Sequence, residues 1–256
     1  MRPSCLHPAV CPNLDTNHRR LLDVYHAVDA LPGVRKSFIG SGVRYDLSMH
    51  PTGNPETDEI NRRYNRELIE HHVSGRLKVA PEHTSDRVLD VMRKPSFGLF
   101  HDFKRIFDDV NRRCGLKQQL IPYFISSHPG CHEADMAQLA ADTKDLGFRL
   151  EQVQDFTPTP MTVATEIYYT GYHPYTLERV FTARTPREKE AQRKYFFWYD
   201  PSRRAEIERS LLNIHRPDLI NKLFGGTHRQ NDRRPRSFAL REPGAPAGRS
   251  NKRKKR

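Results

Sequence analysis

Several things are scarce in this 256-residue chain. It has four cysteines, Cys5, Cys11, Cys114 and Cys131, too few and too scattered for a disulfide framework. A reducing cytoplasm is the expected compartment. No apolar run is long enough to span a bilayer, so no membrane association is expected. Met1-Arg2-Pro3-Ser4-Cys5 leads into no apolar h-region, so no signal peptide is expected. Neither a GxGxxG fingerprint nor a phosphate loop is present to favour an open, doubly wound sheet.

Charge of one sign is in excess, but unevenly. The formal net charge is +12, and residues 229–256 contribute +9 of it through eleven Lys/Arg against two Asp/Glu. The rest of the chain is therefore only mildly basic. The segment "RQNDRRPRSFALREPGAPAGRSNKRKKR" has one small apolar cluster, Phe238-Ala239-Leu240, and cannot bury a core. It reads as a disordered basic tail over 227–256, solvated or making weak, non-specific contact with nucleic acid.

The body alternates helix and strand signals. Residues 15–31 predict a helix capped by Asp15 or Thr16, with Leu21, Val24, Tyr25, Val28 and Leu31 as its stripe. Thr57 is the expected cap of the next helix, with Ile60, Tyr64, Leu68 and Ile69 facing inward. Leu99 to Arg113 is the clearest helix, since Phe100, Phe103, Phe107, Val110 and Cys114 recur on one face. Glu133 to Leu146 is another. Strands are expected at Ser37–Gly40, at Leu77–Ala80 (buried, and stopped by Pro81), in "LIPYFISSHPG" and in "FRLEQVQDFTPTP". This order implies a parallel α/β sheet, either a βα barrel or a doubly wound sheet. In a barrel, chemistry gathers at the strand C-termini. Here those ends carry Ser41-Gly42-Val43-Arg44, Glu82-His83, Ser126-Ser127-His128-Pro129 and Asp155-Phe156-Thr157.

The stretches "LKVAPEHTSDRVLDVMRKPSFGLFHDF", "LIPYFISSHPGCHEADM" and "FRLEQVQDFTPTPMTVATEIYYTG" closely resemble the YgiQ family of radical S-adenosylmethionine (SAM) proteins, as do "CLHPAVCPNLDTNH" and "FIGSGVRYDL". The likeness runs from about Arg2 to Gly226. "SDRVLDVM" and "HPGCHEAD" also look like the fourth and fifth barrel units of methylthiotransferases. The resemblance implies a six-unit βα barrel whose first loop, C-x3-C-x2-C, holds a [4Fe–4S] cluster that cleaves SAM reductively for radical chemistry on a substrate. This chain has no such motif. Its first strand corresponds to the family's third, so the expectation is a partial, TIM-like radical SAM barrel over 1–160, a helical C-terminal extension over 161–226 and the tail. The cluster would come from preceding sequence or from a separate N-terminal half, and the chain alone is expected to be inactive. A non-catalytic barrel remnant that binds RNA or protein through its tail is the other reading.

By resemblance, Ser41, Gly42, Arg44, Glu82, His83, Ser126, Ser127, Pro129 and Phe156 are the residues expected to contact SAM. The residues by themselves also allow Arg44 to pair with a surface acid, Glu82 to cap a turn and Phe156 simply to pack. Cys5, His7 and Cys11 form a weaker, alternative metal site, with spacing unlike that of usual zinc sites. Cys131 reads as an inert thiol near a helix start, and Cys114 as core. "KYFFWYD" (194–200) and "IYYTGYHPY" (167–175) mix aromatics with bases and could stack nucleobases. Packing against the barrel is the preferred reading for both. Ile207, Leu211, Leu212, Leu219 and Leu223 are expected to face inward from two short helices.

Overall fold

A computed structural model describes residues 4–225. The basic tail 227–256, expected to be disordered, lies outside the described residues. In chain order the elements are α1 (Arg19–Asp29), α2 (Tyr45–Ser48), α3 (Pro55–His71), β1 (Arg76–Glu82), α4 (Asp86–Met92), α5 (Phe97–Arg113), β2 (Gln119–Ser126), α6 (Glu133–Asp145), β3 (Gln152–Asp155), α7 (Val163–Thr170), α8 (Pro186–Arg193), α9 (Arg204–Asn213) and α10 (Pro217–Phe224). Short 3-10 turns lie at Lys194–Phe197 and Pro201–Arg203.

The three strands form one parallel sheet in the order β1-β2-β3. Register divides its two faces. Leu77 and Val79 pair with Leu120 and Pro122, and Phe124 and Ser126 pair with Val153 and Asp155. This face is covered by the core, which α5 fills with Phe100, Phe103 and Phe107 and α6 with Met136, Leu139 and Ala140. The other face holds Arg76, Lys78, Ala80, Gln152 and Gln154, all exposed. So β1 is a strand buried on one face, not the fully buried one expected. It also runs past Pro81. Proline has no N–H for the ladder, and the register shifts between Val79 and Glu82 where it stands.

The expected strand at Ser37–Gly40 does not form. The Ile39 N–H donates to the His72 carbonyl (2.9 Å), in the link after α3, so this segment has no strand to pair with. The chain approaches the sheet three residues later, through a parallel bridge from Val43 to Val79. Gly42 allows this approach, because a Cβ there would stand 3.3 Å from the Lys78 carbonyl oxygen.

Caps and stripes bring further corrections. Asn54, not Thr57, caps α3: its side chain accepts from the Glu56 and Thr57 N–H groups, and Pro55 opens the helix. Neither Asp15 nor Thr16 caps α1, which starts after His18. Of α1, only Leu22 is buried, whereas Leu21, Val24 and Leu31 are exposed. Ile60, Tyr64, Leu68 and Ile69 are buried as expected. The α5 stripe is buried from Phe100 to Val110, but Cys114 is exposed, because the helix ends at Arg113 and the chain turns there.

The segment after β3 shares the sheet's core. Tyr195, Phe196, Ile207, Leu211, Leu219 and Leu223 belong to the same buried cluster as the strands. Leu212 is exposed. Packing therefore explains Tyr195 and Phe196. It does not explain 167–175, where Ile167 is buried but Tyr169, Tyr172 and Tyr175 are exposed. No helix among the described residues is long and apolar enough to cross a membrane.

Candidate functional site

The C-terminal ends of the three strands meet. The Phe156 N–H donates to the Ser126 carbonyl (2.8 Å), which brings the end of β3 to that of β2. The Ser126 hydroxyl donates to Asp155, which Arg193 of α8 also approaches, at 3.3 Å. The Phe156 ring lies edge-on to His128, with centroids 4.9 Å apart.

The end of β1 joins the same group through a histidine and a thiol. His83 is fully buried. Its Nδ1 accepts from the Ser85 N–H (2.9 Å), so the ring proton sits on Nε2, which faces Cys131 Sγ at 3.5 Å. The thiol donates in turn to the His132 carbonyl (3.7 Å). Burial pushes the His83 pKa down to about 4, with Asp135 opposing it, and pushes the Cys131 thiol up. The pair is a neutral imidazole beside a neutral thiol. It is not a thiolate–imidazolium nucleophile, which needs the opposite shifts. His128 is likewise held neutral: burial lowers its pKa to about 4, against the bond its Nδ1–H makes to the Pro129 carbonyl (2.8 Å).

Two residues of this edge are strained. Glu82, at the end of β1, has φ 68°, and Ser127, directly after β2, has φ 60°. Left-handed backbone is uncommon for residues other than glycine and clusters where surrounding structure enforces it. Both side chains also carry a buried oxygen without a hydrogen-bond partner: Glu82 Oε2 and Ser127 Oγ. Thr84 Oγ1 is a third. The other carboxylate oxygen of Glu82 pairs with Lys94 Nζ at 3.1 Å, so this side chain does not cap the following turn.

Ser41, Gly42 and Arg44 lie on the segment that approaches β1 through the Val43–Val79 bridge. Ser41 and Gly42 are exposed. The Arg44 guanidinium is gripped by Asp46 at 2.8 and 2.6 Å. Cys5, His7 and Cys11 do not converge on a metal site. The Cys11 N–H bonds the Cys5 carbonyl (2.8 Å), Cys5 is exposed, and His7 is buried with its Nε2 4.0 Å from Asp90. Among the described residues no three His, Cys, Asp or Glu side chains are arranged to hold a metal ion. The residues that sequence reasoning passed over are Thr84, Lys94 and Gln192. None lies on an apolar periodicity that would mark it as buried.

Comparison with known proteins adds the family context. Residues 151–255 match a domain of unknown function, DUF3362. The chain is 66% identical over 224 residues to a UPF0313 protein of Bacteroides thetaiotaomicron, an alignment covering 88% of this chain and 36% of that protein. A UPF0313 protein of Porphyromonas gingivalis is 58% identical over 233 residues (91% and 37%), and one of Methanosarcina mazei 41% over 230 (90% and 35%). The chain spans little more than a third of the length of these relatives. UPF0313 is the YgiQ-like family, so nearly the whole of the described chain is similar to one part of a YgiQ-like UPF0313 protein.

Proposed function

We propose that this chain forms the later units and C-terminal extension of a YgiQ-type radical SAM barrel, and that its strand ends line the SAM site. The observation that carries the reading is a pair of features that Glu82 and Ser127 have in common. Consecutive parallel strands end in strained, non-glycine residues, each presenting a buried and unpartnered oxygen at the same edge. Strand C-termini are where a βα barrel places its chemistry. The exposed face bearing Lys78, Gln152 and Gln154 would be the inner wall of the closed barrel.

The donor set fits SAM. Glu82 Oε2 accepts from an amine or a ribose hydroxyl, Ser127 Oγ and Thr84 Oγ1 donate or accept, and the Phe156 ring offers an apolar edge to the adenine. Ser126 and Pro129 shape the loop, and His83 sits behind it as a neutral, buried support. SAM bound here would supply radical chemistry, with the electron for its cleavage coming from the cluster. The residues do not fit a [4Fe–4S] cluster. Cluster loops bring three thiolates close together, whereas Cys131 is a buried thiol paired with His83, and Cys5 and Cys11 are six residues apart. The cluster ligands therefore belong to a preceding segment or to a separate N-terminal half.

Equilibrium dialysis of the full chain against radiolabelled SAM tests this. Saturable binding is expected, weakened roughly 3- to 30-fold by Glu82→Gln and by Ser127→Ala, the range of one lost hydrogen bond. No saturable binding, or binding untouched by both substitutions, refutes it.

A further inference from the structure

The loop after β2 is held from outside the sheet. Gln192, on α8, is buried although its helix, Pro-Arg-Glu-Lys-Glu-Ala-Gln-Arg, is otherwise polar. Its amide makes two bonds to this loop. The side-chain oxygen accepts from the Ser127 N–H (2.8 Å), and the side-chain NH2 donates to the Cys131 carbonyl (2.7 Å). These two groups bracket Ser127-His128-Pro129-Gly130-Cys131, the turn between β2 and α6. A second tie comes from the same segment: the Gly130 N–H donates to the Phe181 carbonyl (2.8 Å). Gly130 itself has φ 84°, and a Cβ there would stand 3.1 Å from Val91.

We infer that Gln192 is a positioning residue: the C-terminal extension, through this one side chain, sets the left-handed conformation of Ser127 and so aims its hydroxyl. This gives a role to the region that matches a domain of unknown function, and it rests on the SAM reading only for the identity of the ligand. The chemistry requires an amide. Both partners are backbone groups of opposite kind, an N–H and a carbonyl, buried together. A carboxylate would satisfy Ser127 and repel the Cys131 oxygen. An aliphatic side chain of equal length would satisfy neither, leaving two buried groups unpaired. Ser127, lacking glycine's freedom, needs that external hold to stay at positive φ.

The test separates aiming from mere packing. Gln192→Met keeps the volume and removes both bonds. Amide exchange of the full-length variant should speed up about tenfold at Ser127, the equivalent of one net hydrogen bond, while Leu120, Ile121, Tyr123 and Phe124 in β2 stay protected. Ser127→Gly supplies the second arm, since glycine holds positive φ unaided. Gln192→Met should weaken SAM binding about tenfold in the unaltered background and much less in the Ser127→Gly background. Equal losses in both backgrounds, or a Gln192→Met chain whose Ser127 exchange is unchanged, overturns the assignment. If the unaltered chain binds no SAM while Ser127 exchange still responds to Gln192→Met, the SAM reading falls and the loop assignment stands.

Discussion

His83 Nε2 faces Cys131 Sγ at 3.5 Å, and through this contact the end of β1 is joined to the loop that leaves β2. The imidazole donates, the thiol accepts, and both are buried. The first consequence concerns reactivity. Thiol alkylation needs the thiolate, and burial raises the Cys131 pKa. Brief treatment of the native protein with iodoacetamide, followed by peptide mass mapping, should label exposed Cys5 and spare Cys131 until denaturant is added. Labelling of Cys131 at the rate of Cys5 would contradict the arrangement.

Acid should weaken the fold through the same residues. His83 and His128 have folded pKa values near 4, below the ordinary histidine value of 6.5. Between about pH 6.5 and 4 the unfolded chain binds protons that the folded chain does not, so stability is full above 6.5 and falls as pH drops through that window. Each imidazole contributes at most roughly 3 kcal/mol to the loss. Urea midpoints at pH 7 and pH 4.5 measure it. In the double variant His83→Gln/His128→Gln the slope over this window should flatten, and an unchanged slope would place its origin elsewhere.

Core and surface aromatics should behave differently. Phe100 is fully buried between α5 and the sheet, whereas Tyr169 is largely exposed. Phe100→Ala should cost about 3–5 kcal/mol, by lost burial and the cavity left behind. Tyr169→Ala should stay within about 0.5 kcal/mol of the parent. Chemical denaturation of both variants checks the contrast.

These aromatics also show how far the sequence could be read. The α5 stripe was legible because five apolar residues recur at helical spacing and the helix is long. The sheet strands were legible as apolar runs between helices. Cys114 was misplaced because periodicity carries no mark of where a helix stops. Ser37–Gly40 has an apolar core like a strand's, but pairing is decided by what lies alongside, and His72 lies there. Glu82 and Ser127 were found as polar residues at strand ends, but their positive φ and unpartnered oxygens follow from tertiary packing. Gln192 was invisible, since a single buried amide in a charged helix leaves no pattern.

The charge distribution sets an expectation for residues 229–256, which lie beyond the described residues. With +9 on that segment, RNA binding by the full chain should be weak and sequence-independent, fall steeply with salt, and nearly vanish in a chain of residues 1–228. Filter binding of both chains to unstructured RNA at low and moderate salt measures this. Salt-resistant binding by the shorter chain would instead point to the exposed rings of Tyr169, Tyr172 and Tyr175.

The central claim is that the strand-end edge of this chain handles SAM, and it is tested most directly in a complete barrel. The matching 224-residue segment of the Bacteroides thetaiotaomicron UPF0313 protein can be replaced by that of this chain, and the hybrid loaded anaerobically with iron and sulfide. The measurement is 5′-deoxyadenosine formed from SAM under reducing conditions, alongside the iron–sulfur absorbance. The account predicts product from the hybrid, and at least about a tenfold loss in Glu82→Gln/Ser127→Ala with the absorbance unchanged, since two hydrogen bonds to the ligand are removed. A hybrid that takes up iron and sulfide but forms no product, or one that forms it equally well with both substitutions, would contradict the account.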